Sequence, residues 1–325
     1  MQNRTTLGVI HLCLGVLVFS LQDAVIKAVS GDYPLTEVVT IRCLVALPIL
    51  LGLVQFEAGV RALLSRNFWP LTARAFIMLL AYITYYMSFP ALPLADAVAL
   101  YFTVPLFMLA LAVPFLGEKI GWGKWLAVLV GFGGVIIMLR PGAGLFEPAA
   151  LLTLFSAATY AMSMLMARRL GSAEPASVMA FYQNWVFLVG ALAIAAVLGL
   201  LGIHDASHPS INFLVRPWIW PNPGDFLLIA SCGVIAAIGM TLLTSAYRIA
   251  RASVVTSFEY TGMLWAPLWG YLFFAEMPPW TTFAGAALIV AAGLFALLGG
   301  RRNEKAELDV TVSAQGPAAT RFSDR

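Results

Sequence analysis

The chain has 325 residues, of which 61% are hydrophobic and only 11% charged, and its mean hydropathy is +0.88. That much apolar surface is more than a soluble core of this length could hide, so the composition excludes a water-soluble globular protein and requires a polytopic membrane protein. The formal net charge of +3 is too small to imply a nucleic-acid partner, and the three cysteines, Cys13, Cys43 and Cys232, have no CxxC spacing that would suggest a disulfide framework or a metal knuckle.

Apolar runs of roughly 20 residues, enough to cross the hydrocarbon as helix, fall at 8–28, 36–56, 70–90, 95–116, 122–140, 147–167, 176–200, 225–247, 252–275 and 280–299. The first run has no basic stretch before it beyond Arg4 and is long, so it reads as a retained span rather than a signal peptide. The expected fold is an all-α polytopic membrane protein of about ten transmembrane helices with short loops. The longest loop, 201–224, carries Pro217, Trp218, Trp220, Pro221 and Pro223 and is expected to lie along the membrane surface. The segment after Arg302 is polar and aperiodic, which predicts a disordered tail.

Basic residues sort between alternate loops. Arg61, Arg66 and Arg74 flank one, Lys119 and Lys124 the next, then Arg168 with Arg169, and Arg248 with Arg251; the opposite set holds only Arg140 and Arg216. Arg4, Arg301, Arg302 and Lys305 put both termini on the basic side, which is the cytoplasmic side.

The chain also repeats itself. Ala95, Asp96, Glu118 and Gly134 recur as Ala252, Ser253, Glu276 and Gly293, and Pro34 to Arg42 recur as Pro175 to Gln183 with the same spacing. An odd number of spans separates the copies, so they are inverted in the membrane, which is how secondary transporters enclose a site near the midplane. This predicts two inverted five-helix repeats, 1–140 and 147–299, followed by the tail 300–325.

The motifs Leu116-Gly117-Glu118 after Ala95, Gly131 to Gly134, Ala275-Glu276 after Ala252, Gly293, and Pro34 with Arg42 make residues 8–299 resemble the EamA-type ten-helix members of the drug/metabolite transporter superfamily. The resemblance implies a carrier of small metabolites in a bacterial inner membrane, with a central cavity.

Ionisable side chains inside a span cost roughly 2.5–3.5 kcal/mol each and are functional suspects. Asp23 and Lys27 stand four apart on the first helix, where carboxylate and ammonium can pair, with Arg42 as a neighbour on the second. Two readings stand: these groups line a cavity that binds a carboxylate, phosphate or ring carbonyl, or Lys27 and Arg42 snorkel to a boundary. Glu259 also has two: a proton-coupling carboxylate, or a partner of Arg251 or Arg248. Asp96 reads as a helix-start residue, and Glu118 and Glu276 as pins of loop and helix end.

Tyr82, Tyr85, Tyr86 and Tyr101 in the first half, and Tyr160, Tyr182, Trp185, Tyr247, Tyr260, Trp265 and Trp269 in the second, concentrate aromatic rings at mid-span. Such rings pack helices, or they stack a planar substrate and hydrogen-bond its edge. The amides Gln22, Gln183 and Asn184 favour a cavity. The candidate substrate-binding set is therefore Gln22, Asp23, Lys27, Arg42, Tyr82, Tyr85, Tyr86, Tyr101, Gln183, Trp185, Glu259 and Tyr260. His204 and His208 flank Asp205 without a third metal ligand close in sequence, and there is no phosphate-binding loop. The expected function is secondary transport by alternating access, without cofactor or metal, hinged at Pro34, Pro90, Pro93, Pro105 and Pro267, with protons as a candidate coupling ion. The expected substrate is a planar, vitamin-like compound such as riboflavin or S-adenosylmethionine, with amino-acid efflux as the competitor; a non-transporting membrane scaffold is the alternative of another class.

Overall fold

The computed structural model describes residues 2–117, 121–139, 147–170, 174–249 and 258–295. Its regular elements are helices: α1 (Gln2–Val29), α2 (Leu35–Glu57), α3 (Phe68–Met87), α4 (Leu94–Tyr101), α5 (Val104–Leu116), α6 (Trp122–Leu139), α7 (Ala149–Leu170), α8 (Ala176–Leu201), the short α9 (Pro209–Val215), α10 (Pro223–Ile249), α11 (Gly262–Phe274) and α12 (Trp280–Phe295). Helix is the outcome that the bilayer enforces, because each amide must find its partner within its own segment. Among the described residues, seven stretches are long and apolar enough to cross a membrane, and the 125–139 part of α6 and α12 are shorter apolar helices.

Prolines and left-handed residues mark the ends. Pro34, Pro93 and Pro175 precede α2, α4 and α8 in extended backbone, where their missing N–H is not needed. Gly117 and Gly202 close α5 and α8 at positive φ. Ala275 closes α11 the same way, at φ 53°, and is the one described residue other than glycine in that region. Its amide and that of Glu276 turn back to the carbonyls of Tyr271 and Gly270 at 3.2 and 3.0 Å.

The fourth span, expected as one helix over 95–116, is two. Pro105 cannot donate to the helix before it, so the chain breaks at Phe102 and Thr103, and the Thr103 hydroxyl returns to the Leu100 carbonyl at 2.7 Å. The ninth, expected over 252–275, has a single tight turn at Glu259–Thr261 before α11 begins. The rings of Phe102 and Tyr260 stack across these two interruptions, centroids 5.5 Å apart and 28° between planes.

α1 packs on α10 and α3 on α7; α2 lies against α8 and α10, and α3 also against α8; α11 contacts α1 and α4, and α7 contacts α4 and α5. α6 and α12 cross backbone to backbone. A Cβ on Gly134 would lie 2.6 Å from the Gly285 carbonyl oxygen, so only glycine allows that approach. Phe89, Phe187 and Phe213 are fully buried, whereas Leu126, Leu129, Leu200, Leu227 and Leu264 face outward, as lipid-facing residues do.

The loop after α8 folds back over the bundle. Trp218 Nε1 donates to Thr36 Oγ1 at 2.9 Å, the Ile219 amide to Glu37 Oε2 at 3.1 Å, and Arg216 to the Gly31 carbonyl, while Trp220 stays exposed. His208 accepts from the Ser210 amide at 3.2 Å and so caps α9, which leaves its Nε2 to donate to Glu147 at 2.9 Å. No group of three metal-ligating side chains exists among the described residues.

Several sequence expectations lie outside the described residues: Glu118, Lys119, Arg140, Arg251, Ala252, Ser253 and the tail, with the side chains of Arg4, Lys124, Arg168, Arg169, Tyr247 and Arg248. Arg74, expected to flank a loop, is instead buried within α3, its carbonyl accepting from Ser163 of α7 at 3.3 Å.

Candidate functional site

Tyr82, Tyr85 and Tyr86 lie three and four residues apart on α3, Tyr85 and Tyr86 reaching Asp23 of α1 and Tyr82 lying against Arg42 of α2 and Phe187 of α8. The Tyr86 hydroxyl donates to Asp23 Oδ1 at 2.8 Å and accepts from Gln22 Nε2 at 2.9 Å; the Tyr85 hydroxyl donates to Asp23 Oδ2 at 3.3 Å. Gln22 Oε1 takes a longer contact, 3.4 Å, from Nε of Arg42. The result is one polar chain from α2 through α1 to α3, in which Gln22 is 2% exposed, Tyr86 3% and Arg42 8%.

Arg42 sits over the Tyr82 ring at 4.8 Å, a cation–π contact strengthened by burial. α2 is held there from both sides. Asn184 Nδ2 of α8 donates to the Cys43 carbonyl at 3.0 Å, and Gly233 of α10 meets the Arg42 carbonyl so closely that a Cβ would stand 2.6 Å from it. The Tyr82 hydroxyl is buried without a hydrogen-bond partner among the described residues. Away from Asp23 the rings continue, Tyr85 to Tyr101 at 4.5 Å and Tyr101 to Tyr160 at 5.5 Å, and the Glu259 carboxylate lies within electrostatic reach of the last two.

The expected pairing of Asp23 with Lys27 does not occur. Asp23 is taken by the two phenols, and Lys27 reaches Glu276 Oε1 at 2.7 Å with the carbonyls of Leu92 and Phe89 at 2.6 and 3.2 Å. Glu276 Oε2 accepts the Leu94 amide at 2.8 Å and so caps α4, and Thr282 of α12 donates to Asp96 at 2.5 Å. α1, α4, α11 and α12 are thereby latched at one end, with Glu276 as a pin and Lys27 as part of the latch instead of the cluster.

Of the remaining candidates, Gln183 makes no hydrogen bond with a described residue, and Trp185 is half exposed on the outer face of α8, which corrects its expected cavity position. Tyr260 stacks on Phe102, and its hydroxyl has no hydrogen-bond partner among the described residues. Residues that the candidate set omitted are Tyr160, Asn184 and the Ser20–Trp269 pair, bonded at 2.9 Å. For the amide and the tyrosine the signal, a polar group at mid-span, was present in the sequence. A cavity of about 570 Å³ between α4, α11 and α12 is apolar, lined by Ala95, Val98, Ala266 and Val290, and one of about 320 Å³ lies under the loop at Trp218; neither includes Asp23 or Arg42.

Residues 6–140 match the EamA-like transporter family. The chain is 29% identical to the pseudopaline exporter CntI of Pseudomonas aeruginosa over 88% of this chain and 94% of that one. It is 28% identical to the riboflavin transporter of Vibrio cholerae over 89% and 92%, and 25% identical to the S-adenosylmethionine uptake transporter of Rickettsia prowazekii over 89% and 91%. A solved crystal structure superposes with a TM-score of 0.60 over 94% of this chain and 99% of that chain at 18% identity, a likeness of fold. With an EamA-like match in its first half, a helical fold made for the bilayer and relatives named as transporters along nearly its whole length, the chain is a membrane protein similar to the metabolite transporters of the drug/metabolite superfamily.

Proposed function

We propose that the chain carries a small organic metabolite across a bacterial inner membrane by alternating access between two inverted five-helix halves, 1–140 and 147–299, with both termini cytoplasmic. The observation that carries this reading is the buried cluster of Gln22, Asp23, Arg42 and the α3 tyrosines. Charged groups held inside a span are costly to insert, and in a carrier a substrate pathway accounts for them.

The helix contacts support the two halves. Exchanging first-half spans for second-half ones turns α1–α10 into α7–α3, α2–α10 into α8–α3, and α1–α11 into α7–α4, all of which are contacts in the structure. The crossings α2–α8, α4–α11 and α6–α12 map onto themselves. The interruptions at Phe102 and Glu259 and the left-handed ends at Gly117 and Ala275 stand at matching positions as well. Discontinuous helices at the repeat interface are the form that carriers use near the midplane.

The wall of Tyr82, Tyr85, Tyr86 and Tyr101 supports a substrate with a planar part, and the relatives' names make riboflavin and S-adenosylmethionine the first compounds to try. Protons are the candidate coupling ion, with Glu259 as their carrier. The test is flux of labelled riboflavin, S-adenosylmethionine and amino acids in proteoliposomes, for the wild type and Arg42→Ala, with and without a proton gradient. Selective flux lost in the variant is expected; no flux of any compound would refute the reading.

A further inference from the structure

Building on that transport reading and that site, we propose that the substrate carries an α-amino-acid head, whose carboxylate is taken by Arg42 and whose ammonium is taken by Asp23. Among the described residues no carboxylate lies within 4.0 Å of the Arg42 guanidinium, and no cationic side chain within 4.0 Å of Asp23. A guanidinium and a carboxyl group therefore stand in one buried cluster without an ion pair between them or to another described side chain. Gln22 explains how they are kept apart. It is next to Asp23 in sequence, so the two side chains leave α1 about 100° apart, Gln22 bridging Arg42 of α2 to Tyr86 and Asp23 taking Tyr85 and Tyr86 of α3.

Each charge is half satisfied. Arg42 spends Nε on Gln22 and one weak contact of 4.0 Å on the Cys43 sulfur, leaving donors of its planar fork open. Asp23 accepts one phenol on each oxygen and retains lone pairs on both. The Tyr82 hydroxyl, buried beside the guanidinium and unpartnered, is a further donor for an anion. A carboxylate alone would meet Arg42 and be repelled by Asp23, an amine alone the reverse, and a neutral ring would leave both charges uncompensated. A zwitterion on one carbon meets both, and the row Tyr85, Tyr101, Tyr160 gives its side chain an aromatic wall to follow. Such a site selects by leaving a charge unpaired when the head is incomplete. Of the compounds considered above, S-adenosylmethionine has the head and riboflavin lacks it.

The experiment uses the full chain in detergent and reads ligand-induced thermal stabilisation. The probes are S-adenosylmethionine and its decarboxylated form, and tryptophan with tryptamine, which lacks the carboxylate, and indole-3-propionate, which lacks the amine. We expect a zwitterion to bind and its truncated analogues to bind at least about 30-fold more weakly. In Arg42→Gln the preference for tryptophan over tryptamine is lost, and in Asp23→Asn the preference over indole-3-propionate is lost. The wild-type analogue series decides the question even if a variant fails to fold. Truncated analogues that bind as tightly as the parent, or failure of both zwitterions to bind, would overturn the proposal. Riboflavin flux in proteoliposomes alongside either result overturns the head-group site alone, whereas absence of flux for every probe overturns the carrier as well.

Discussion

The latch between Lys27 and Glu276 is the interaction whose strength the structure constrains most directly. The charges are 2.7 Å apart, with side-chain exposures of 9% and 24%, so the raw attraction at an effective dielectric of 20 is about 6 kcal/mol, and desolvation removes much of it. Lys27→Met leaves Glu276 with one amide donor and some access to solvent. Glu276→Gln leaves a nearly buried ammonium with two carbonyls. Each single change is expected to destabilise by about 2–4 kcal/mol, below the fully buried limit because Glu276 is partly exposed. The double variant removes both charges and is expected to cost about 2 kcal/mol less than the sum of the singles. The assay is a double-mutant cycle on reversible unfolding in mixed micelles. A coupling under about 0.5 kcal/mol, the scale of additivity error, would refute a formed ion pair.

Gly134→Val would put its Cβ against the Gly285 carbonyl and is expected to destabilise by about 1–3 kcal/mol, read as a lower melting temperature in detergent. Ala275→Gly relieves a left-handed non-glycine residue and is expected to stabilise by about 0.5–1 kcal/mol, seen in the same scan. Trp185→Ala removes an outward-facing ring, so flux per folded molecule is expected to stay within about twofold of wild type, consistent with a side chain outside the cluster; a tenfold loss would return it to the site.

Most of the span pattern was legible because the bilayer imposes a local rule, a run of apolar residues that a window along the sequence detects. What lay beyond reach was non-local. Asp23 and Lys27 have the spacing of a helical ion pair, yet such a pair is worth only a few tenths of a kcal/mol in an isolated helix. Phenols 62 and 63 residues away and a carboxylate beyond Phe274 outcompeted it. The partner of Lys27 had a trace in the sequence, since Glu276 belongs to the repeat. Trp185 was misjudged for a different reason: it follows Asn184 directly, and about 100° of helical turn carries a neighbour from the interior to the outer face. The break in the fourth span was signalled by Pro105, though the apolar run alone reads as continuous.

The ring of Phe102 on that of Tyr260 gives the two interrupted spans a common fulcrum. A helix that flexes where it is broken swings its two arms in opposite senses, and a pivot shared by both spans ties the arms of one to those of the other. If the bundle works by alternating access as proposed, opening one end would then be tied to closing the other as a single lever stroke. For a carrier, the state to avoid is the one open at both ends, through which ions would run down their gradients, and a joint of this kind would oppose that state through ring packing.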